Sequence, residues 1–207
     1  MSLLRWLPTF LAFPLAGLIA MLAVGSNTNP LTAFASGAIV GAIVGGAQWL
    51  ALGRATNWLW GAGTLGAAAI GSMISMFVVG APVTALAASI TGLITGALVG
   101  LAQGFVLIRR GRRRLRVLFL WAATIAVSWT AGWLLTSAVI VDLDRGHAVF
   151  GSSGALLVTA VTGVVLRLIL GPRVRRTPGG DDLEHDKTMD AAASVISGLT
   201  AKPGKDA

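Results

Sequence analysis

Three groups of residues in this chain carry side chains whose types and spacing suit chemistry. The first is Ser152-Ser153, set between Gly151 and Gly154. A serine nucleophile there would need a base within hydrogen-bond reach, and the sequence offers only His147 just upstream and His185 near the C-terminus. The second group is Asp142, Asp144 and His147, an oxygen and imidazole set compact enough to hold a divalent cation. Arg145 lies between them as a competing partner for either carboxylate. Gln48, Gln103 and Arg167 form the third group, polar side chains set in otherwise apolar stretches that would form either a polar path or a clasp. Cysteine is absent, so thiolate catalysis, thiolate metal sites and disulfides are excluded. The expectation is that no residue is catalytic, cofactor-binding or metal-binding, and that the protein is not an enzyme.

The elements that position these residues are hydrophobic. A composition of 55% hydrophobic and 12% charged residues, with a mean hydropathy of +0.81, leaves too little polar surface for a water-soluble fold. Six stretches, about 9–26, 31–52, 61–80, 83–108, 117–141 and 148–171, approach or exceed the roughly 20 residues needed to cross a hydrocarbon core. They lack the alternating polarity of barrel strands, so an all-α integral membrane protein with six transmembrane helices is expected. No Asp, Glu, Lys or His falls inside them, which disfavours proton- or sodium-coupled transport.

The segments repeat in pairs. Trp6 and Gly17, Trp60 and Gly71, and Trp121 and Gly132 each stand eleven residues apart at the start of a two-segment unit. Gly37, Gly41 and Gly45 recur 55 positions later as Gly92, Gly96 and Gly100, and 63 positions after that as Ala155, Thr159 and Gly163. The reading is three tandem parallel two-helix repeats, about 1–54, 55–115 and 116–176, related by pseudo-threefold symmetry about an axis along the membrane normal. The match of Trp6 and Gly17 to the later units marks the first segment as a structural helix rather than a cleaved signal peptide. Mitochondrial carriers share the three-by-two plan, but Pro14 has no counterpart in the third or fifth segment and no acidic residue follows it. That kinship is rejected.

The net charge of +8 is sorted rather than spread. Arg5, Arg54, the cluster from Arg109 to Arg116, and Arg173, Arg175 and Arg176 all fall at one end of the segments, so both termini are expected in the cytoplasm. The cluster is read as topogenic, with contact to anionic lipids as the second possibility. It has no interleaved aromatics for stacking bases, so nucleic acid is not an expected partner. Cysteine-free, arginine-, alanine- and glycine-rich composition points to a bacterial plasma membrane. Residues 177–207 carry six acidic side chains against three lysines behind Pro178-Gly179-Gly180, and are expected to be a mostly disordered cytoplasmic tail.

Glycines four apart put a smooth stripe on one helix face. Gly37, Gly41 and Gly45, then Gly92, Gly96, Gly100 and Gly104, with Gly163 in the third unit, form a glycine-zipper pattern expected to serve helix packing within the bundle or between copies. Gln48 and Gln103 stand at matching positions, six residues before Arg54 and Arg109. The third unit has Leu166 there, with Arg167 beside it, close enough to the segment end to snorkel.

Two resemblances follow from these motifs. Gln48-Trp49-Leu50 with Leu52 and Arg54, closing a glycine-rich helix, is similar to multi-pass bacterial membrane proteins that carry no known activity, and it implies none here. Gly151-Ser152-Ser153-Gly154 resembles the Gly-x-Ser-Gly of rhomboid intramembrane proteases, but that family's base is a histidine on another helix. No segment here contains one, so the string is read as a helix cap and small face. The leading expectation for function is a scaffold or accessory subunit of a larger membrane assembly. An uncoupled channel or facilitator for a small solute is the alternative.

Overall fold

A computed structural model describes residues 3–108, 114–139 and 151–171, all within one compact unit, Met1–Pro172. The described residues form α1 (Leu3–Trp6), a 3-10 turn (Leu7–Leu11), α2 (Ala12–Val24), α3 (Pro30–Leu52), a 3-10 turn (Gly53–Ala55), α4 (Leu59–Val79), α5 (Ala85–Ile108), α6 (Arg114–Val139) and α7 (Ser152–Leu170). Among the described residues, six helical spans are long and apolar enough to cross a membrane: Leu4–Val24, Pro30–Ala55, Leu59–Val79, Ala85–Ile108, Leu115–Ala138 and Ser152–Leu170. The first span begins earlier than its hydropathy suggests. Pro8 turns its start into a 3-10 segment, and Thr9 Oγ1 donates to Trp6 O at 2.7 Å, occupying a carbonyl near the break.

Local signals set the helix starts. Asn29 Oδ1 accepts from Leu31 N and Thr32 N at 3.0 Å each, Thr32 Oγ1 accepts from Asn29 N, and Pro30 supplies a preset φ at the first helical position of α3. Asn57 Oδ1 accepts from Leu59 N at the start of α4, and Thr84 Oγ1 accepts from Ala87 N at the start of α5. The start of α7 differs from the serine cap read from its sequence. Gly151 is the N-cap, and the hydroxyl that meets its amide comes from Thr136 of α6, 3.0 Å away.

Each helix from α3 to α7 packs against the one before it, antiparallel for α3 with α4, α4 with α5 and α5 with α6, and α7 packs back onto α1, α2 and the 3-10 turn of the first span. The glycine stripes lie where α3 meets α4 and where α5 meets α6. A methyl added at Gly41 would stand 2.6 Å from Leu65 Cα, one at Gly45 2.7 Å from Thr64 Cβ, and one at Gly37 2.5 Å from Ala68 O. On α5, a methyl at Gly100 would stand 2.6 Å from Ala122 Cα, at Gly96 3.0 Å from Ala126 Cα, and at Gly92 2.7 Å from Trp133 Cδ1. Gly104 faces Leu118 in the same way. Such approaches let backbones exchange dispersion contacts over their whole length, which is the main attraction between helices where lipid is as apolar as the side chains.

Trp6, Phe13, Val40, Val44, Trp60, Val99, Trp121, Ile125, Trp129, Val158 and Leu166 join in one contiguous core. Phe13 meets Trp129 edge to face at a centroid separation of 6.1 Å. Large apolar side chains also cover the outside, among them Leu22, Leu31, Phe77, Leu86, Phe119 and Leu168. An exterior of that kind is stable against hydrocarbon and not against water.

Candidate functional site

The polar centre of the molecule lies toward the end that carries Arg54. Gln48 in α3 and Gln103 in α5 are 6% and 1% exposed, and they are bonded directly to each other. Gln103 Nε2 donates to Gln48 Oε1 at 3.0 Å and to Thr64 Oγ1 at 2.9 Å, using both its hydrogens. Gln103 Oε1 accepts from Trp121 Nε1 at 3.1 Å, and Gln48 Oε1 accepts a second bond from Trp60 Nε1 at 3.2 Å. Thr64 Oγ1 passes its own hydrogen to Trp60 O at 2.7 Å. Four helices, α3 to α6, thus meet in one network, and the Trp60 and Trp121 rings stack obliquely beside it with centroids 6.0 Å apart. The buried polar groups are offset by one another, avoiding the few kcal/mol that an unmet amide would cost in an apolar interior.

A related bond joins the first span to α7. Trp6, buried like Trp60 and Trp121, donates from Nε1 to Thr159 O at 3.0 Å. Leu166, at the register of the two glutamines, is fully buried, whereas Arg167 is exposed in the last turn of α7 and takes no part in the network. Gly163 is buried on α7.

The opposite half is also polar but differently arranged. Asn27, 7% exposed, lines a cavity of about 20 Å³ with Ser72, Ser75 and Thr91, near Gly80 and Pro82. A second space of about 10 Å³ shares Ser72 and Thr91 and reaches Thr95, Trp129 and Trp133. Asn27 Oδ1, Thr91 Oγ1 and the nearby helix hydroxyl Ser36 Oγ are buried without a hydrogen-bond partner. Ser75 Oγ donates to Gly71 O and lies 3.5 Å from Thr95 Oγ1. A volume near 20 Å³ with several polar walls suits one ordered water.

Of the sequence-derived site residues, the structure brings Gln48 and Gln103 together and leaves Arg167 apart. Ser152 is exposed at the start of α7, Ser153 is half-buried, and Gly154 packs on Gly132 and Thr136. Asp142, Asp144, Arg145 and His147, the Arg109 to Arg113 part of the arginine cluster, and His185 with the acidic tail lie outside the described residues. Trp60, Trp121 and Thr64 are the network members that the sequence reading left out. The signal of the two tryptophans was present, because Trp60 and Trp121 each follow the glutamine they bond in the sequence, with arginines between the two.

Fold and site together define a multi-pass helical membrane protein with a hydrogen-bonded interior. No protein-family model, curated protein or solved structure matches the chain.

Proposed function

We propose that this chain is a non-catalytic scaffold or accessory subunit of a bacterial plasma-membrane assembly, with both termini cytoplasmic and three tandem parallel hairpins about a pseudo-threefold axis. The observation that carries the reading is the closed network around Gln103: both hydrogens of its Nε2 and its side-chain carbonyl are bonded within the protein. A group so engaged has little to offer a passing solute. The symmetry is supported by three indole bonds that each run from the first helix of one hairpin to the second helix of the preceding one. Trp60 reaches Gln48, Trp121 reaches Gln103, and Trp6 reaches back to Thr159. Leu11, Leu15, Leu18 and Leu22, exposed along one face of the first span, offer a stripe against which a partner helix can seat. Native-partner purification tests the role: a stoichiometric membrane-protein companion is expected, and liposomes holding this chain alone should pass no small solutes.

The second reading, an uncoupled channel or facilitator, draws on the unpartnered Asn27 Oδ1 and Thr91 Oγ1 beside their cavity. It expects flux from the chain alone. Loss of that flux in the double variant Gln48→Leu with Gln103→Leu, at unchanged melting temperature, would make the glutamines path-lining and overturn the scaffold.

A further inference from the structure

The turn between α3 and α4 holds a second polar feature, separate from the glutamine network. Gly53 adopts φ 51° as it ends α3, a left-handed value that favours glycine, and the chain then makes a 3-10 turn before α4. An open groove of about 440 Å³ forms at this corner, within the roughly 300–1,000 Å³ of small-ligand sites. Its polar wall is Arg54, Thr56 and Asn57, and its apolar wall is Trp49, Leu50 and Trp58.

Among the described residues, the polar wall is rich in donors and contains no carboxylate. Thr56 is 8% exposed, and its Oγ1 has no partner inside the protein. The Asn57 carbonyl oxygen is occupied by Leu59 N, which leaves the amide hydrogens as its contribution. Arg54 presents a guanidinium with five N–H groups, enough to serve an anion alongside another partner. The N-terminus of α4 adds the positive end of a 21-residue helix. Such a set suits a phosphate, which has several acceptor oxygens, and does not suit a metal cation.

The apolar wall decides where that phosphate comes from. Trp58 is 64% exposed and Leu50 73%, both at the end of a membrane span. Tryptophans and arginines at that depth sit between headgroups and acyl chains. We propose that this groove binds one anionic glycerophospholipid, with the phosphate held by Arg54, Thr56 and Asn57 and the upper acyl chain lying on Trp49, Leu50 and Trp58.

Delipidated full-length protein in detergent, titrated with phosphatidylglycerol or phosphatidylcholine and read by native mass spectrometry, tests this. One phosphatidylglycerol per chain is expected, bound about tenfold tighter than phosphatidylcholine. Arg54→Gln should weaken it about tenfold and Thr56→Val about threefold, while Arg116→Gln, on a different turn, should leave it unchanged. The wild-type comparison of the two lipids stands even if a variant fails to fold. Equal binding of both lipids overturns the site, as does unchanged binding in the Arg54→Gln, Thr56→Val double variant, or a loss in Arg116→Gln equal to that in Arg54→Gln. Displacement of the lipid by millimolar inorganic phosphate would assign the groove to a free anion and overturn the lipid.

Discussion

Setting aside Thr56 Oγ1 in the turn after α3 and Thr159 Oγ1 midway along α7, both also buried without a partner among the described residues, the two ends of the bundle handle buried polarity in opposite ways. Toward the Arg54 end, Gln48, Gln103, Thr64, Trp60 and Trp121 satisfy one another across four helices. Toward the Gly80 end, Asn27 Oδ1, Ser36 Oγ and Thr91 Oγ1 are buried without partners among the described residues, and Asn27 and Thr91 line a space sized for a single water. A direct bond fixes the distance between two helices, whereas a water-bridged pair tolerates small shifts. The first half is therefore the fixed end of the bundle and the second the more compliant one. Glycine packing runs through both, since Gly37 and Gly92 lie toward the compliant end and Gly45 and Gly104 toward the fixed one.

Substitutions that force the glycine-packed backbones apart should have the largest effect. Gly100→Leu drives a side chain into Ala122 Cα and should cost more than about 3 kcal/mol, seen as loss of a monodisperse peak in detergent. Leu93→Ile, on the exposed face of the same helix, should leave that peak intact. Gln103→Leu strikes the fixed end alone and orphans the Trp121 indole. A loss of about 2 kcal/mol is expected, read as a lower melting temperature together with a shifted tryptophan emission. Thr64→Val removes one acceptor from the same network and should cost about 1 kcal/mol. Thr91→Val is the matching change at the compliant end. It deletes a hydroxyl with no protein partner, so its melting temperature should stay level or rise slightly. If Thr91→Val destabilised as much as Thr64→Val, the two ends would not differ.

Much of this was legible in the residues. Glycines every four positions can only share one face of a helix, and the paired glutamines matched at an offset that placed both at one depth. The hydropathy boundaries also come close to the helices, as with 83–108 against Ala85–Ile108. Three things were hidden because they depend on which helix lies beside which. The stripes of α3 and α5 meet the following helix rather than the preceding one, a choice no spacing within one helix encodes. The indole bond of Trp60 crosses a 3-10 turn, Gly53–Ala55, whose geometry rests on local backbone angles, and the bond of Trp121 depends on how α6 lies against α5. The N-cap of α7 is Gly151, whose amide is met by Thr136 of the preceding helix, so the serines of its Gly-Ser-Ser-Gly string misdirect. The groove at Arg54 was equally silent, because a hydroxyl such as Thr56 is informative only once its burial is known.

Gly41 and Gly46, five residues apart on α3, give the most direct test of the packing on which the account rests. A methyl at Gly41 would meet Leu65 Cα at 2.6 Å, while a methyl at Gly46 meets nothing within 4 Å. Thermal unfolding in detergent should therefore show Gly41→Ala melting well below the wild type. Gly46→Ala should match or exceed it, since alanine favours a helix by about 1 kcal/mol over glycine. Equal melting temperatures for the two variants would contradict the close approach of α3 and α4, and with it the account.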